Sequence, residues 1–192
     1  MPIKPYAARH SLDDWGDSLK ITIPSKKQWF QILFMGFWLI GWAFGEITVG
    51  GIILTGKGYG GMGIFLLAWF GGWTIGGGYA LYIFLWQLFG REKIQVSNIG
   101  ISIDRSLLGS FPKEYSSEHI QAVRISPFGT VNEGSGWSKT LSNYGLNGGL
   151  ISFDYGAKTI GFGAGIDEAE AKQILVEIQK RYPRYRSKEN SD

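Results

Sequence analysis

The feature that most constrains this chain is an apolar stretch, residues 28–90, that contains only two charged side chains, Glu46 and Lys57. The remaining 129 residues hold 33 of the 35 formal charges, a density of about one in four that is ordinary for soluble proteins. Each of two runs in the stretch exceeds the ~20 helical residues that cross the ~30 Å hydrocarbon core of a bilayer. We therefore expect a two-helix transmembrane hairpin, with spans at about 29–54 and 62–89.

Basic residues flank these spans and predict their orientation. The basic side chains next to the spans are Lys20, Lys26 and Lys27 before the first and Arg91 and Lys93 after the second, whereas the connecting loop TGKGYGG has only Lys57. Because loops rich in Lys and Arg stay on the cytoplasmic side, we expect a multi-pass protein of the cell (inner) membrane with both termini cytoplasmic. Residues 1–27 are polar, which is unlike a cleaved signal peptide, and are assigned to a cytoplasmic N-terminal segment.

Small residues recur every four positions in both spans. They are Ala68, Gly72, Gly76 and Ala80 in the second span and Gly41 and Gly45 in the first. Such stripes let helices approach closely, and the short loop favours contact between the two spans. The sequence therefore predicts that the stripes face each other and close the hairpin, with a homodimer interface as the alternative.

Glu46 and the deeper tryptophans are candidate functional residues of the spans. Counting about 20 residues from Gln28 places Glu46 near the outer interface, where water would solvate it and Lys57 could pair with it. The alternative is a proton or cation acceptor, since a carboxylate within a span is a functional candidate. Most aromatic residues are interpreted as an interfacial belt. The deeper Trp38, Trp42, Trp69 and Trp73 leave open a groove for a pigment, quinone or lipid.

After Arg91 the apolar residues alternate with polar ones, which predicts strands. Residues 92–105 and 150–163 each predict a β-hairpin, and residues 119–126 predict another strand. Asp167 and Glu170 form a capping box ahead of an apolar stripe with helical spacing that ends at Pro183. The expected fold class is a membrane α-hairpin plus an α+β domain, residues 91–182, with a curved antiparallel sheet or small barrel capped by the C-terminal helix.

The segments VSNIGISIDR, EHIQAVRIS and ISFDYGAKTIGFG, followed by the helix IDEAEAKQILVEIQKRYP, resemble the bacterial pleckstrin-homology-like (PH-like) domain, which is often attached to a two-helix membrane hairpin. The resemblance covers roughly residues 91–182 and implies a membrane-tethered binding or scaffold module with no catalytic residues. The first hairpin turn, residues 97–100, has no Lys or Arg to hold inositol phosphates, so phosphoinositide recognition is not implied.

Three surface segments are candidates for binding. The long Gly-, Ser- and Asn-rich connection at 128–149 offers Phe128, Trp137 and Tyr144 as aromatic anchors for a protein partner, or is a plain connection. Arg181 and the basic tail that follows it, residues 183–192 with Arg184, Arg186 and Lys188, are expected at the anionic membrane surface or in solvent. The run Gly161, Gly163 and Gly165 before the last helix lacks a βαβ unit, so we expect a tight turn there and no nucleotide site.

The composition excludes several classes of chemistry. Zero cysteines exclude disulfides and thiolate metal sites, and the two histidines are far apart in sequence. No catalytic set, cofactor or metal site is expected, and the near-neutral folded part argues against nucleic acid. The partners expected are membrane lipid and a cytoplasmic or membrane protein. Two main hypotheses remain: a scaffold that presents the PH-like domain, or an accessory subunit of a transport or energy-converting complex that packs through its Gly-rich helices. A third hypothesis, an enzyme, requires a polar pocket lined by titratable groups.

Overall fold

The computed structural model describes residues 10–56, 63–107, 109–126 and 148–186. The chain divides into two compact units. One combines residues 1–26 with residues 89–192, and we call it the sheet unit; the other, residues 27–88, we call the helical hairpin. The hairpin is therefore inserted in the sequence between two parts of the sheet unit.

Sheet 1 contains five antiparallel strands in sequence order. They are β1 (Ser11–Asp14), β2 (Ser18–Pro24), β3 (Arg91–Ser97), β4 (Gly100–Ser106) and β5 (Lys113–Ser116). The pairing of β3 with β4 confirms the first predicted hairpin. In β3 every second residue is buried, as the alternation of apolar and polar residues predicts for a strand with one face in a core.

The first two strands correct the predicted start of the domain. The sequence predicts that residues 1–27 are separate from a domain starting at residue 91, whereas β2 pairs with β3 along its whole length, from Ser18 opposite Ser97 to Pro24 opposite Arg91. Leu19, Ile21 and Ile23 of β2 are buried in the same core as the later strands. Their period-two spacing was a visible signal for this strand.

Sheet 2 contains the remaining three strands, β6 (Ile120–Ile125), β7 (Ile151–Tyr155) and β8 (Lys158–Phe162). The antiparallel pair β7–β8 confirms the second predicted hairpin, and Gly156 in its turn has a positive φ of 60°. The strands thus form two sheets, where the sequence predicted one curved sheet or small barrel. Both sheets contribute to one hydrophobic core.

The C-terminal helix α3 (Glu168–Arg181) begins and ends where the sequence predicts. Asp167 accepts a hydrogen bond from the Glu170 backbone N–H at 2.8 Å, and the Glu170 carboxylate accepts from the Asp167 N–H at 3.1 Å, which confirms the capping box. Ala171, Ile174 and Ile178 are completely buried in the core of the sheet unit. A short 3₁₀ helix, Pro183–Tyr185, follows.

The helical hairpin consists of α1 (Trp29–Leu54) and α2 (Gly63–Phe89). Both are long and apolar enough to cross a membrane, with mean hydropathies of 1.7 and 1.3 in their most apolar windows. Only 11% and 6% of those windows are buried, whereas a core helix of a soluble protein is mostly buried. Large side chains such as Phe37 and Ile64 are more than 80% exposed. Exposed apolar surface of this kind indicates membrane association.

The contact between α1 and α2 corrects the predicted packing stripe. No described atom lies within 4 Å of a Cβ placed at Gly41, Gly45, Gly72 or Gly76, and Ala68 is exposed. The glycines that meet the other helix are Gly36 against Phe84, Gly50 against Phe70, and Gly77 against Trp42. The helices close through an aromatic ring on one side and a glycine on the other, so the prediction that the two small-residue stripes face each other is wrong.

Candidate functional site

A groove of about 680 Å³ lies against sheet 1 in the described part of the sheet unit. Strands β2 to β5 and the connection between β4 and β5 supply most of its lining. The charged lining residues are Lys20, Lys93, Asp104 and Glu114, and Ile99, Pro112 and Tyr115 add apolar surface. The groove therefore offers both signs of charge next to apolar contacts.

Asp104 orders one wall of this groove. It is 5% exposed, its Oδ2 accepts a hydrogen bond from the Ser110 hydroxyl at 2.7 Å, and its Oδ1 accepts from the Phe111 N–H at 3.3 Å. A buried carboxylate is stabilised by such donors. Asp104 thus holds the connection between β4 and β5 in place. No local sequence pattern marks it as a site residue.

Two other groove residues have altered surroundings. The Lys20 ammonium lies 5.3 Å from the centre of the Trp15 ring, in a cation–π contact. Burial raises the pKa of the Tyr115 hydroxyl, whose ring makes edge contacts with Phe153 and Tyr155. These contacts restrict where the Lys20 and Tyr115 side chains lie along the groove.

A buried ion pair links the two sheets. Glu92 of β3 and Arg105 of β4 are paired residues in the ladder, and Oε1 of Glu92 lies 2.6 Å from Nη2 of Arg105. The Arg105 guanidinium also donates to the carbonyls of Gly148 at 2.9 Å and Gly161 at 2.6 Å. The second Glu92 oxygen accepts from the Gly163 N–H at 2.9 Å. These hydrogen bonds connect strands β3 and β4 of sheet 1 to Gly161 of sheet 2.

The hydrogen bond between Gly163 and Glu92 also shows what occupies the predicted turn at Gly161, Gly163 and Gly165. The Gly163 N–H, which would face a phosphate in a nucleotide loop, is taken by the Glu92 carboxylate. Gly163 has a φ of 80°, and a Cβ there would come within 2.8 Å of Ile166. The tight turn that the sequence predicts is therefore held by an internal carboxylate.

Two of the predicted membrane-surface residues bind turns of sheet 1. Arg181 pairs with Asp14 at 2.5 Å and donates to the carbonyl of Gly16. The hydrogen bond from Arg181 holds the pKa of Asp14 below its usual value and raises that of Arg181. Arg184 donates to the carbonyl of Asn98 at 2.7 Å. Arg181 and Arg184 thus bind the β1–β2 and β3–β4 turns. Of the other two predicted membrane-surface residues, Arg186 is exposed and Lys188 lies outside the described residues.

Two tyrosines also hydrogen-bond to these parts of sheet 1. The Tyr182 hydroxyl donates to the carbonyl of Asp17 at 3.2 Å, and the Tyr185 hydroxyl donates to the carbonyl of Ser97 at 2.7 Å. Burial raises the pKa of Tyr185. Both rings belong to the hydrophobic core, so the segment after α3 is part of the folded sheet unit.

In the hairpin, Trp73 contacts each of the other three deeper tryptophans. Trp69 stacks on it with ring centres 5.1 Å apart, and Trp38 lies at 6.2 Å. The Trp42 indole N–H donates to the carbonyl of Trp73 at 3.3 Å. The structure therefore brings the four predicted rings together, packed on one another and on the helix backbone.

Glu46 contacts the other helix. Its Oε1 lies 2.5 Å from the Thr74 hydroxyl, and its Oε2 is buried with no hydrogen-bond partner among the described residues. The predicted pairing with Lys57 falls outside the described residues.

The predicted interaction residues Phe128, Trp137 and Tyr144 also lie outside the described residues. The two ends of their segment are fixed, since the Ser126 N–H donates to the carbonyl of Leu150 at 2.7 Å. Within the described ranges, no group of three His, Cys, Asp or Glu side chains is placed to hold a metal ion. Comparisons with family models, curated proteins and solved structures each found no match to this chain.

Proposed function

We propose that this chain is an integral membrane protein whose hairpin anchors a non-catalytic, PH-like protein-interaction module at the cytoplasmic face of the cell membrane. One observation carries the proposal. The hairpin is inserted between β2 and β3, whose ends Pro24 and Arg91 are paired, and the Ser25 N–H donates to the carbonyl of Gly90 at 3.0 Å. The chain therefore enters and leaves the hairpin at one point of sheet 1.

This insertion suits a membrane anchor. Two spans that start and finish at adjacent strands must return to the same side of the membrane, as the distribution of Lys and Arg also predicts. The exposed apolar surface of α1 and α2 supports lipid as its surroundings, because water would not stabilise it.

The PH-like assignment of the sheet unit is supported by its order of elements. Antiparallel strands in two sheets lead into a capped C-terminal helix that is buried against both. The turn between β3 and β4 has no basic side chain, and its Asn98 carbonyl is bound by Arg184. A protein partner therefore suits this unit better than a phosphorylated lipid headgroup.

The groove on sheet 1 is the binding surface that we propose for the partner. Mixed charges beside apolar side chains are typical of protein interfaces. In addition, the described carboxylate that is most buried in the groove, Asp104, is held by hydrogen bonds from Ser110 and Phe111. Such a carboxylate positions the wall of a binding surface.

A photo-crosslinking side chain at Gln95, which lines the groove, tests this function in native membranes. The matched control carries the same side chain at Lys172, on the exposed face of α3. We expect a discrete protein adduct at Gln95 that is absent at Lys172 and is lost when Lys93 and Glu114 are both replaced by Ala. Equal adducts at both positions, or none at Gln95, would contradict the proposal.

A second candidate, an accessory subunit of a larger membrane complex, is favoured by one observation. Gly72 and Gly76 of α2 have no described atom within 4 Å of an added Cβ, so this stripe is open to another helix. Replacing both by Leu should then release the chain from its complex during purification in mild detergent. Unchanged co-purification would count against this candidate.

A further inference from the structure

One aromatic ring of the sheet unit is exposed on the connection between β4 and β5. The Phe111 side chain is 76% exposed. Its neighbours Ser110 and Pro112 line the groove on sheet 1, whereas Phe111 is not among the lining residues. A partner that binds in the groove would therefore not cover this ring.

Hydrogen bonds hold residues 109–112 of this connection in place. The Phe111 N–H and the Ser110 hydroxyl donate to the two carboxylate oxygens of Asp104, at 3.3 and 2.7 Å. Gly109 has a positive φ of 88°, and a Cβ there would come within 3.2 Å of the Phe111 ring. A loop that is already ordered loses less conformational entropy when it binds a surface.

The connection lies at the end of sheet 1 where the hairpin joins. Ser106, the last residue of β4, is paired with Arg91, and Phe89 ends α2. The Phe111 N–H is bonded to Asp104, which is two residues before Ser106. At about 3.3 Å per strand residue, the Phe111 backbone lies about 7 Å along the strand from the level of Arg91. The ring is thus near the point at which the chain leaves the membrane, if the hairpin spans it.

The lengths of the helix and of the bilayer put this point in the headgroup layer. At 1.5 Å per residue, the 27 residues of α2 extend about 40 Å. The hydrocarbon core is about 30 Å thick, and the bilayer with both headgroup layers is about 40–45 Å thick. A centred α2 therefore ends in the headgroup layer, which a side chain about 7 Å along the strand from Arg91 can also reach.

The residues of the sheet unit that adjoin the hairpin also suit a lipid surface. Phe89, which belongs to the sheet unit, is 67% exposed, and the basic Lys26 and Arg91 are exposed. Basic side chains beside apolar ones are typical of segments that lie on a membrane. A single exposed ring needs no explanation by itself, so it is the position of Phe111 that indicates lipid.

We propose that Phe111 inserts into the lipid headgroup layer of the membrane that the hairpin crosses. The proposal rests on the proposed membrane anchoring of the hairpin, and it gives the chain a second contact with lipid. Because Ser110 and Pro112 on either side of Phe111 line the groove, this contact sets how the groove is oriented to the membrane surface.

The test uses the full chain in phosphatidylcholine vesicles that contain a lipid with a nitroxide on its headgroup, which quenches fluorescence nearby. A fluorophore on Phe111→Cys reports the connection, since the chain has no other cysteine. The matched control is Ile99→Cys, an 83% exposed apolar position in the turn at the other end of β3 and β4. We expect quenching of the label at Phe111→Cys and none at Ile99→Cys. Equal quenching at both positions would overturn the inference.

A second set of variants removes the influence of the label itself. With the fluorophore on Lys113→Cys, which is exposed, headgroup quenching should fall in Phe111→Ser and should be kept in Phe111→Leu. Ile99→Ser should leave it unchanged. Equal quenching in Phe111→Ser and in the parent sequence would overturn the inference.

A label on Phe37→Cys, an 81% exposed position of α1, separates this inference from the anchor. Quenching there by a nitroxide deep in an acyl chain, with no headgroup quenching at Phe111→Cys, would overturn the inference and leave the anchor intact. No quenching at either position would overturn both.

Native membranes distinguish lipid from a protein partner at this ring. A photo-crosslinking side chain in place of Phe111 should form an adduct with the mass of a lipid. A protein adduct there would overturn the inference in favour of a protein interface.

Discussion

Glu92 and Arg105 form a buried ion pair that connects the two sheets. Their side chains are 4% and 19% exposed, and together they bind backbone atoms of Gly148, Gly161 and Gly163. Removing one member of a buried pair leaves the other charge without a partner, which costs more than the pair contributes.

We therefore expect Arg105→Met to lower the free energy of unfolding by about 3–5 kcal/mol, measured by urea denaturation. The double variant Glu92→Gln with Arg105→Met should recover a large part of that loss, because the glutamine oxygen still accepts from Gly163 and carries no charge. Equal stability of Arg105→Met and the parent chain would contradict the structural role of this pair.

The ion pair of Asp154 with Arg124 should make the stability of the sheet unit depend on pH in acid. Arg124 donates to both of its carboxylate oxygens, at 2.6 and 3.0 Å, and this hydrogen bonding holds the pKa of Asp154 below its usual value. A lowered pKa in the folded state means that the pair stabilises the fold above the ordinary carboxyl pKa of about 3.9. That stabilisation is lost as the pH falls through the lower, folded-state pKa.

Denaturation between pH 2 and pH 7 tests this behaviour. Stability of the parent chain should fall more steeply below pH 4 than that of Asp154→Asn, which has no proton to bind at this position. Parallel acid profiles for the two chains would show that the pair does not contribute.

Some of these side-chain contacts can be predicted from the sequence and others cannot. Glu92 and Arg105 are opposite each other in the hairpin that the sequence predicted, so their pairing was accessible. Their contacts with Gly148 and Gly161 join positions 43 and 56 residues apart, and no local pattern encodes such distances. The pairing of Glu46 with Thr74 likewise depends on the rotation of two helices about their axes.

At the scale of elements, local patterns predicted the structure where partners are close in sequence. The hairpins β3–β4 and β7–β8 and the capped helix α3 depend on short turns and on one capping box. Strands β1 and β2 were missed because β2 pairs with β3 across the whole inserted hairpin. The predicted packing face of each hairpin helix was also wrong, because spacing identifies a stripe of small residues but does not show what covers it.

The contact between α1 and α2 gives a prediction with a matched control. A Cβ at Gly77 would overlap the Trp42 ring, whereas one at the adjacent Gly76 meets no described atom within 4 Å. We therefore expect Gly77→Leu to lower the melting temperature of the hairpin in detergent micelles and to change the fluorescence of Trp42. Gly76→Leu should leave both unchanged, and a larger effect of Gly76→Leu would contradict the packing.

At the scale of the whole molecule, the sheet unit is expected to fold without the hairpin. Pro24 and Arg91 are paired neighbours, so a two-residue Asn-Gly turn between Ser25 and Gly90 can replace residues 26–89 with little strain. The resulting chain should be soluble without detergent, with a cooperative thermal transition and the circular dichroism of a β-rich protein. Insoluble or unfolded material would show that the sheet unit needs the hairpin to fold.

The central claim is that α1 and α2 cross a membrane and return to the side from which they started. The chain has no cysteine, so single-cysteine variants report one position each. Intact cells that express Thr55→Cys, Asp13→Cys or Gln173→Cys are treated with a maleimide that cannot cross membranes. The account predicts labelling of Thr55→Cys in intact cells and of the other two only after lysis. Labelling of Asp13→Cys or Gln173→Cys in intact cells, or of no variant before lysis, would contradict it.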